Sequence, residues 1–376
     1  MQGCVKHHTE FSDIVVFSGL DREEVALVST NRRPTPRAST PGRATMHDVA
    51  ALAGVSLKSV SRVVNREPGV SAELARKVGA AVAELGYRHN LGASNLRRGH
   101  RTASIGVLVQ DLSNGFCSEV LRAIEDRARS RAVVVMTSSI EEDPDREREA
   151  VDGLVARRID GLILMPASRD QAYLDADRAA GLAVVAVDRS PLSTPLDAVV
   201  ADNQGGAAEA TGHLLAHGHR RIAFLGDSAG ISTAVERRDG YRMALRASGV
   251  RPDPHLERVD LRTRDDAVQA TRELLAMEEP PTALFAGRNV ICTGAVLALQ
   301  QAGLSHQVAL IGFDEVAVGE FVQPRITVVR QDTHAIGTHA IDRLLARLDG
   351  DQSPAAIEVI PTALVQRGSG EIPPPS

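Results

Sequence analysis

The chain has 376 residues, a formal net charge of −5, 43% hydrophobic and 24% charged residues. That is an ordinary globular composition, with room for two or three domains. No run of about 18 apolar residues occurs, which excludes a helical membrane span. Cys4, Cys117 and Cys292 lie too far apart for a disulfide scaffold or a cysteine-only zinc site.

The charge is unevenly spread. Residues 43–101 carry ten Arg/Lys against four Asp/Glu, residues 1–42 carry five of each, and 102–376 carry 28 basic and 39 acidic side chains. A small basic module on a large acidic body implies a polyanion partner for the module alone. A merely solvated helical face would give the same count.

Residues 1–44 read as a flexible extension, with Pro34, Pro36, Pro41, Gly42 and four arginines in Asn31–Arg43. Met1–Glu10 leads into no long apolar stretch, so a secretory signal is not expected and a cytoplasmic location is. Residues 45–89 then read as three short helices. Thr45 is an N-cap with Asp48 in the first turn, and Val49, Leu52 and Ala53 form an inner face ended by Gly54. Ser56 caps a second helix with Val60, Val63 and Val64 inward, and Pro68-Gly69 ends it. Ser71 caps a third, with Leu74, Val78, Val82 and Leu85 at helical spacing. Two short helices joined by a tight Gly-containing turn make a helix-turn-helix. On the second helix, Leu57, Lys58, Ser59, Ser61 and Arg62 point outward.

A basic linker follows, residues 90–101, and then the texture changes. Short β-rich runs (105–109, 133–136, 161–164, 183–187, 221–225, 283–285, 309–311 and 327–329) alternate with segments of helical pattern. That alternation predicts parallel sheets with helices on both faces, in two sheets rather than one. Residues 367–376 read as a flexible Gly/Pro/Ser tail.

The string Thr45-Met-His-Asp-Val-Ala-Ala-Leu-Ala-Gly-Val-Ser-Leu-Lys-Ser-Val-Ser-Arg-Val-Val-Asn65 resembles the lactose-repressor/galactose-repressor (LacI/GalR) family of bacterial transcription regulators. The likeness continues through Ile105–Phe116, where Gly115 and Cys117 replace the usual proline and second aromatic. It goes on through Arg157–Pro166, Val185–Arg189, Ala201–Asn203, His213–Gly226, Ile311–Glu315, Val329–Asp332 and Ile341–Leu348. It implies a small all-α helix-turn-helix domain followed by a periplasmic-binding-protein-like α/β core, residues 102–366, of two Rossmann-like lobes joined by three crossovers. Lobe one is expected at about 102–201 and 332–350, lobe two at about 202–331 and 351–366.

For function, the resemblance implies a homodimeric repressor on near-palindromic double-stranded operator DNA, answering to a small carbohydrate-like effector. Lys58 and Arg62 can reach guanine edges, while Thr45, Ser56, Ser61 and Asn65 suit phosphate contacts, with Leu57 and Ser59 on the same face. Ala93 and Leu96, in a hinge at about 90–98, correspond to the minor-groove wedge, and Gly92 lowers the hinge's intrinsic helicity. The effector candidates are Asp111, Phe116, Asp188, Arg189, Arg237, Arg288, Asp314 and Gln331, from loops at strand C-termini. Arg288 stands where the family often has Asn; it suits either an acidic ligand or an internal pair with Asp314.

Two rival functions use the same core: a solute-binding receptor and a sugar-modifying enzyme. No GxxxxGK[ST] or GxSxG string occurs, and no activating neighbour marks Cys117 as a nucleophile. His213, His217 and His219 have metal-like spacing, but Gly218 makes them a helix end before a strand. No cofactor and no metal are expected.

Overall fold

The computed structural model describes residues 44–65, 67–88, 102–191, 194–317, 319 and 321–375. The chain divides into two compact units, residues 1–89 and 90–376. All but residue 44 of the extension expected at 1–44, and the hinge with Ala93 and Leu96, lie outside the described residues.

The first unit is three helices: α1 (Met46–Ala53), α2 (Leu57–Val64) and α3 (Ala72–Glu84). Each begins at the hydroxyl that the sequence singles out. Thr45 and Asp48 form a reciprocal capping box, and the Ser56 and Ser71 side chains accept from the N–H three residues on. Gly54 ends α1 in the left-handed region at φ 60°, which costs a glycine little. Val49, Ala53, Val60, Val78 and Ala81 form the buried centre. Leu52, expected on the inner face, is instead 46% exposed, because an eight-residue helix has room for only one narrow buried stripe. Helix α2 stops at Val64, before Pro68-Gly69.

The second unit holds two six-stranded sheets. In lobe one the strands are β1 (Ser104–Val109), β2 (Val134–Ser139), β3 (Gly161–Leu164), β4 (Ala183–Val187), β5 (Asp197–Ala201) and β11 (Ile357–Ile360). They lie in the order β11-β5-β4-β3-β1-β2 and are all parallel. Helices α4 (Gly115–Ser130), α5 (Pro144–Ala156) and α6 (Asp175–Ala179) connect them, and α11 (Thr333–Leu348) returns to pack beside α4. Lobe two has β6 (Ile222–Leu225), β7 (Glu257–Arg258), β8 (Ala283–Ala286), β9 (Ala309–Phe313), β10 (Thr327–Gln331) and β12 (Thr362–Val365). Their order is β12-β10-β9-β8-β6-β7, parallel except for β12 against β10. Its helices are α7 (Asn203–Ala216), α8 (Ser232–Ala247), α9 (Arg264–Leu275) and α10 (Asn289–Ala302).

Alternate strand residues feed opposite faces of each sheet. Ile105, Val107 and Val109 join the core under α4 and α11, while Leu108 joins the core under α5. In lobe two, Phe224 goes to the α7–α8 side and Leu225 to the α9–α10 side. The helix pairs touch closely: a Cβ on Gly337 of α11 would lie 2.6 Å from the Val120 carbonyl oxygen of α4.

Three expectations need correction. The third crossover falls at Pro361, since Ile357–Ile360 is a lobe-one strand, not part of lobe two. Strands β5, β7, β11 and β12 go beyond the expected β-rich runs, their apolar stretches being short or charged. Residues 367–375 do not form a free tail. Ser369 is buried and accepts from Thr327 N–H at 2.9 Å, the Glu371 carboxylate meets His213 at 2.7 Å, and the Ile372 carbonyl lies 2.8 Å from His219 Nε2.

Candidate DNA-binding face and ligand cleft

On the first unit, Leu57 and Lys58 are exposed at the start of α2, whereas Ser59, Ser61 and Arg62 are half-buried. The candidate phosphate ligands also serve the fold. Ser56 Oγ accepts from Ser59 N–H at 3.1 Å, and Asn65 Nδ2 donates to the Ser61 carbonyl at 2.7 Å. Thr45 is exposed and caps α1. Arg62 folds back: its guanidinium donates to the carbonyls of Pro68 (3.3 Å) and Gly69 (3.4 Å) and lies 3.6 Å from Glu67. It thereby closes the loop after α2, while Lys58 stands clear of the unit.

In the second unit, the C-terminal ends of the strands of both lobes meet over a common cleft. Its wall includes seven of the eight residues singled out from the sequence: Phe116, Asp188, Arg189, Arg237, Arg288, Asp314 and Gln331. Asp111 is the exception. Its carboxylate accepts from Ser113 N–H (2.8 Å) and Ser113 Oγ–H (2.7 Å), which turns it toward an outer recess shared with Glu141 and Arg262.

The lobes present matching corners. Asp188 follows β4 at φ 69° and Asp314 follows β9 at φ 72°, both in the left-handed region. Each N–H is held by the neighbouring strand, Asp188 by the Val199 carbonyl (3.0 Å) and Asp314 by that of Val329 (2.9 Å). This unusual backbone turns both carboxylates into the cleft.

Burial holds the Asp188 carboxyl above its ordinary value, against the pull of Arg189 and Arg237. Arg189 is also buried, yet Glu142 and Asp188 outweigh the burial and hold its guanidinium above the usual range. Arg237, fully enclosed, is held below it by burial. Its Nε donates to Asn203 (2.8 Å), one terminal nitrogen donates to the Gly287 carbonyl (2.8 Å), and the group lies 3.8 Å from both the Phe313 ring and the Asp314 carboxylate. Arg288 pairs with Asp227 at 2.5 Å, not with Asp314, because the loop after β6 brings Asp227 closer.

Several wall residues were missed: Gln110, Asn114, Glu142, Asp227 and Thr233. Asp227 and Glu142 lie just past β6 and β2, so the rule that ligands sit beyond strand C-termini would have found them. Asn114 joins the lobes: its amide and that of Asn289 exchange two hydrogen bonds of 3.2 Å.

This geometry has known counterparts. Residues 45–90 match the model of bacterial regulatory proteins of the lacI family, and residues 211–370 match that of the periplasmic binding protein-like domain. The ribose operon repressor of Escherichia coli K12 is 31% identical over 330 residues, covering 87% of this chain and 99% of its own. The lac repressor dimer bound to operator and the anti-inducer ONPF superposes with a TM-score of 0.78 at 29% identity, covering 88% of this chain and 99% of that one. The transcriptional regulator CelR–cellobiose complex gives 0.66 at 30% identity, over 87% and 100% of the two chains. The chain belongs to the lacI family of bacterial regulatory proteins.

Proposed function

We propose that the protein is a transcriptional repressor that binds near-palindromic double-stranded operator DNA as a homodimer. A small carbohydrate-class effector in the cleft shifts its DNA-competent population. The observation that carries this reading is a capped, exposed helix start at Ser56–Lys58 on the same chain as a two-lobed cleft lined by carboxylates, arginines and amides. Membership of a family whose solved members include an operator complex and a cellobiose complex supports it.

In this proposal Leu57, Lys58, Ser59 and Arg62 face the major groove, and Thr45, Ser56, Ser61 and Asn65 set register on phosphates. Ala93 and Leu96 enter the minor groove at the operator centre. The cleft recognises hydroxyls through Asp188, Asp314, Gln331 and Arg189, with Phe116 as an apolar wall. Arg237 supports Asp314 from behind.

An enzymatic role draws no support from the cysteines. Burial pushes the Cys117 thiol up to about 11 and that of Cys292 to about 12, far from a thiolate nucleophile.

The test is a gel-shift titration of the full chain against DNA from upstream of its own gene and against random DNA. Specific binding should exceed random binding by about 10³-fold or more, and a sugar that occupies the cleft should change it. Equal affinity for both DNAs would reject the reading.

A further inference from the structure

We propose that the effector carries an oxyanion, a carboxylate or a phosphate on a carbohydrate frame, and that the start of α8, the Thr233 hydroxyl and the free edge of Arg288 receive it. The proposal rests on the reading of the cleft as the effector site and deepens it by naming the charged group.

Helix α8 starts in the wall of the cleft, through Ile231, Thr233 and Ala234. Its N-cap is Ile231, whose side chain accepts nothing, and the N–H groups of Ser232, Thr233 and Ala234 have no acceptor among the described residues. A helix of 16 residues concentrates partial positive charge at that end. Thr233 is 5% exposed, yet its hydroxyl makes no hydrogen bond among the described residues. A buried hydroxyl without a partner is a position that a ligand oxygen completes.

Arg288 is tied to the same place. Its Nη1 donates at 2.5 Å to Asp227, which lies in the loop that leads into α8. Its Nε and Nη2, the two nitrogens of the side-on edge of a guanidinium, donate to nothing among the described residues. That edge offers two parallel N–H bonds, the geometry that grips a carboxylate or a phosphate. Helix N–H groups, the Thr233 hydroxyl and the Arg288 edge can all donate to one group that has acceptors only. The carboxylates of the wall are already answered. Arg288 holds Asp227, two nitrogens of Arg189 hold Glu142 at 2.6 and 2.7 Å, and Asp314 accepts from Gln331 at 2.6 Å. Asp188 stands in the other lobe, where burial holds it toward its neutral form.

The test is calorimetric unfolding of the full chain with matched sugars at equal ionic strength. Glucuronate and galacturonate probe the carboxylate, glucose 6-phosphate and ribose 5-phosphate probe the phosphate, and glucose, galactose and ribose are the neutral parents. At least one charged sugar should raise the core transition by about 2–4 °C more than its parent does, and the arm that responds names the anion. In Arg288→Ala/Asp227→Ala, which removes the pair without leaving a bare carboxylate, that extra shift should disappear.

Thr233→Val keeps the ion pair and provides an independent arm if the double variant fails to fold. It should weaken the responding sugar about five- to tenfold by titration calorimetry. An extra shift that persists in the folded double variant, or an affinity unchanged in Thr233→Val, overturns the proposal. Neutral parents that match or exceed their charged partners in every pair overturn it and leave the cleft reading standing. No response to any of these sugars overturns it and counts against the cleft reading as well.

Discussion

The helix-turn-helix unit and the ligand cleft solve the problem of presenting polar side chains in opposite ways. On α2 the hydrogen bonds of Ser56, Arg62 and Asn65 to Ser59, Gly69 and Ser61 join residues three to seven apart. In the cleft, by contrast, Arg237 joins Asn203, Gly287 and Asp314, which are 34 to 77 residues away along the chain, and Asn114 meets Asn289 across 175. Function and stability should therefore separate at Lys58 on α2 and be entangled in the cleft.

The largest effect is expected at Arg237. Arg237→Ala leaves the buried Asp314 carboxylate uncompensated and the Gly287 carbonyl without a donor, and should cost about 3–5 kcal/mol of core stability. Urea denaturation measures it. A loss under about 1 kcal/mol would mean that the cleft is as modular as α2.

Within lobe one, two buried aspartates should respond to pH in opposite senses. Asp197, at the start of β5, is held below the ordinary carboxyl value of 3.8: burial raises it, but Arg347, the Ala356 N–H and Arg343 outweigh that. Its contribution is present above 3.8 and is lost as pH falls through the lowered value. Asp188 is raised by burial, so its contribution is full below 3.8 and is lost as pH rises through the raised value. Asp197→Asn should thus lose ground to wild type as pH climbs toward neutrality, by about 3 kcal/mol at the plateau. Asp188→Asn should gain ground over its own window. Denaturation midpoints between pH 3 and 7 report both signs, and parallel curves would contradict the assignment.

On α2, Lys58→Ala should weaken operator binding about ten- to a hundredfold with the melting temperature of the unit unchanged. Arg62→Ala should weaken operator binding and also loosen the loop that it ties through Pro68 and Gly69. Fluorescence anisotropy with labelled operator, read beside a circular-dichroism melt, distinguishes the two. If Lys58→Ala melts early, the separation drawn above is wrong.

The smallest effect is expected at the Asn114–Asn289 contact. Asn289→Ala removes two exchanged hydrogen bonds between the lobes, worth about 1 kcal/mol in the balance between open and closed cleft. Small-angle scattering without ligand should show a slightly larger radius of gyration for the variant. An identical curve would assign closure to other contacts.

Much of this was legible from local pattern. Thr45, Ser56 and Ser71 mark three helix starts, because an N-cap hydroxyl bonds within its own first turn and needs no distant partner. The alternation of apolar runs and helical segments revealed two mostly parallel sheets, and seven wall residues of the cleft followed from the resemblance, five of them at strand ends and Phe116 and Arg237 on helices. What local pattern missed depends on neighbours far away in the chain. Ile357–Ile360 is only four residues long, with Glu358 inside it, and becomes a strand because Asp197–Ala201 offers it an edge. The last residues look like a tail until His213, His219 and Thr327 supply partners for Glu371, Ile372 and Ser369. The sequence determined which residues start helices, alternate in strands and carry charge at the cleft. Only the tertiary structure decided which carboxylate each arginine holds, since a Coulomb pair is chosen by distance in space and not by spacing along the chain.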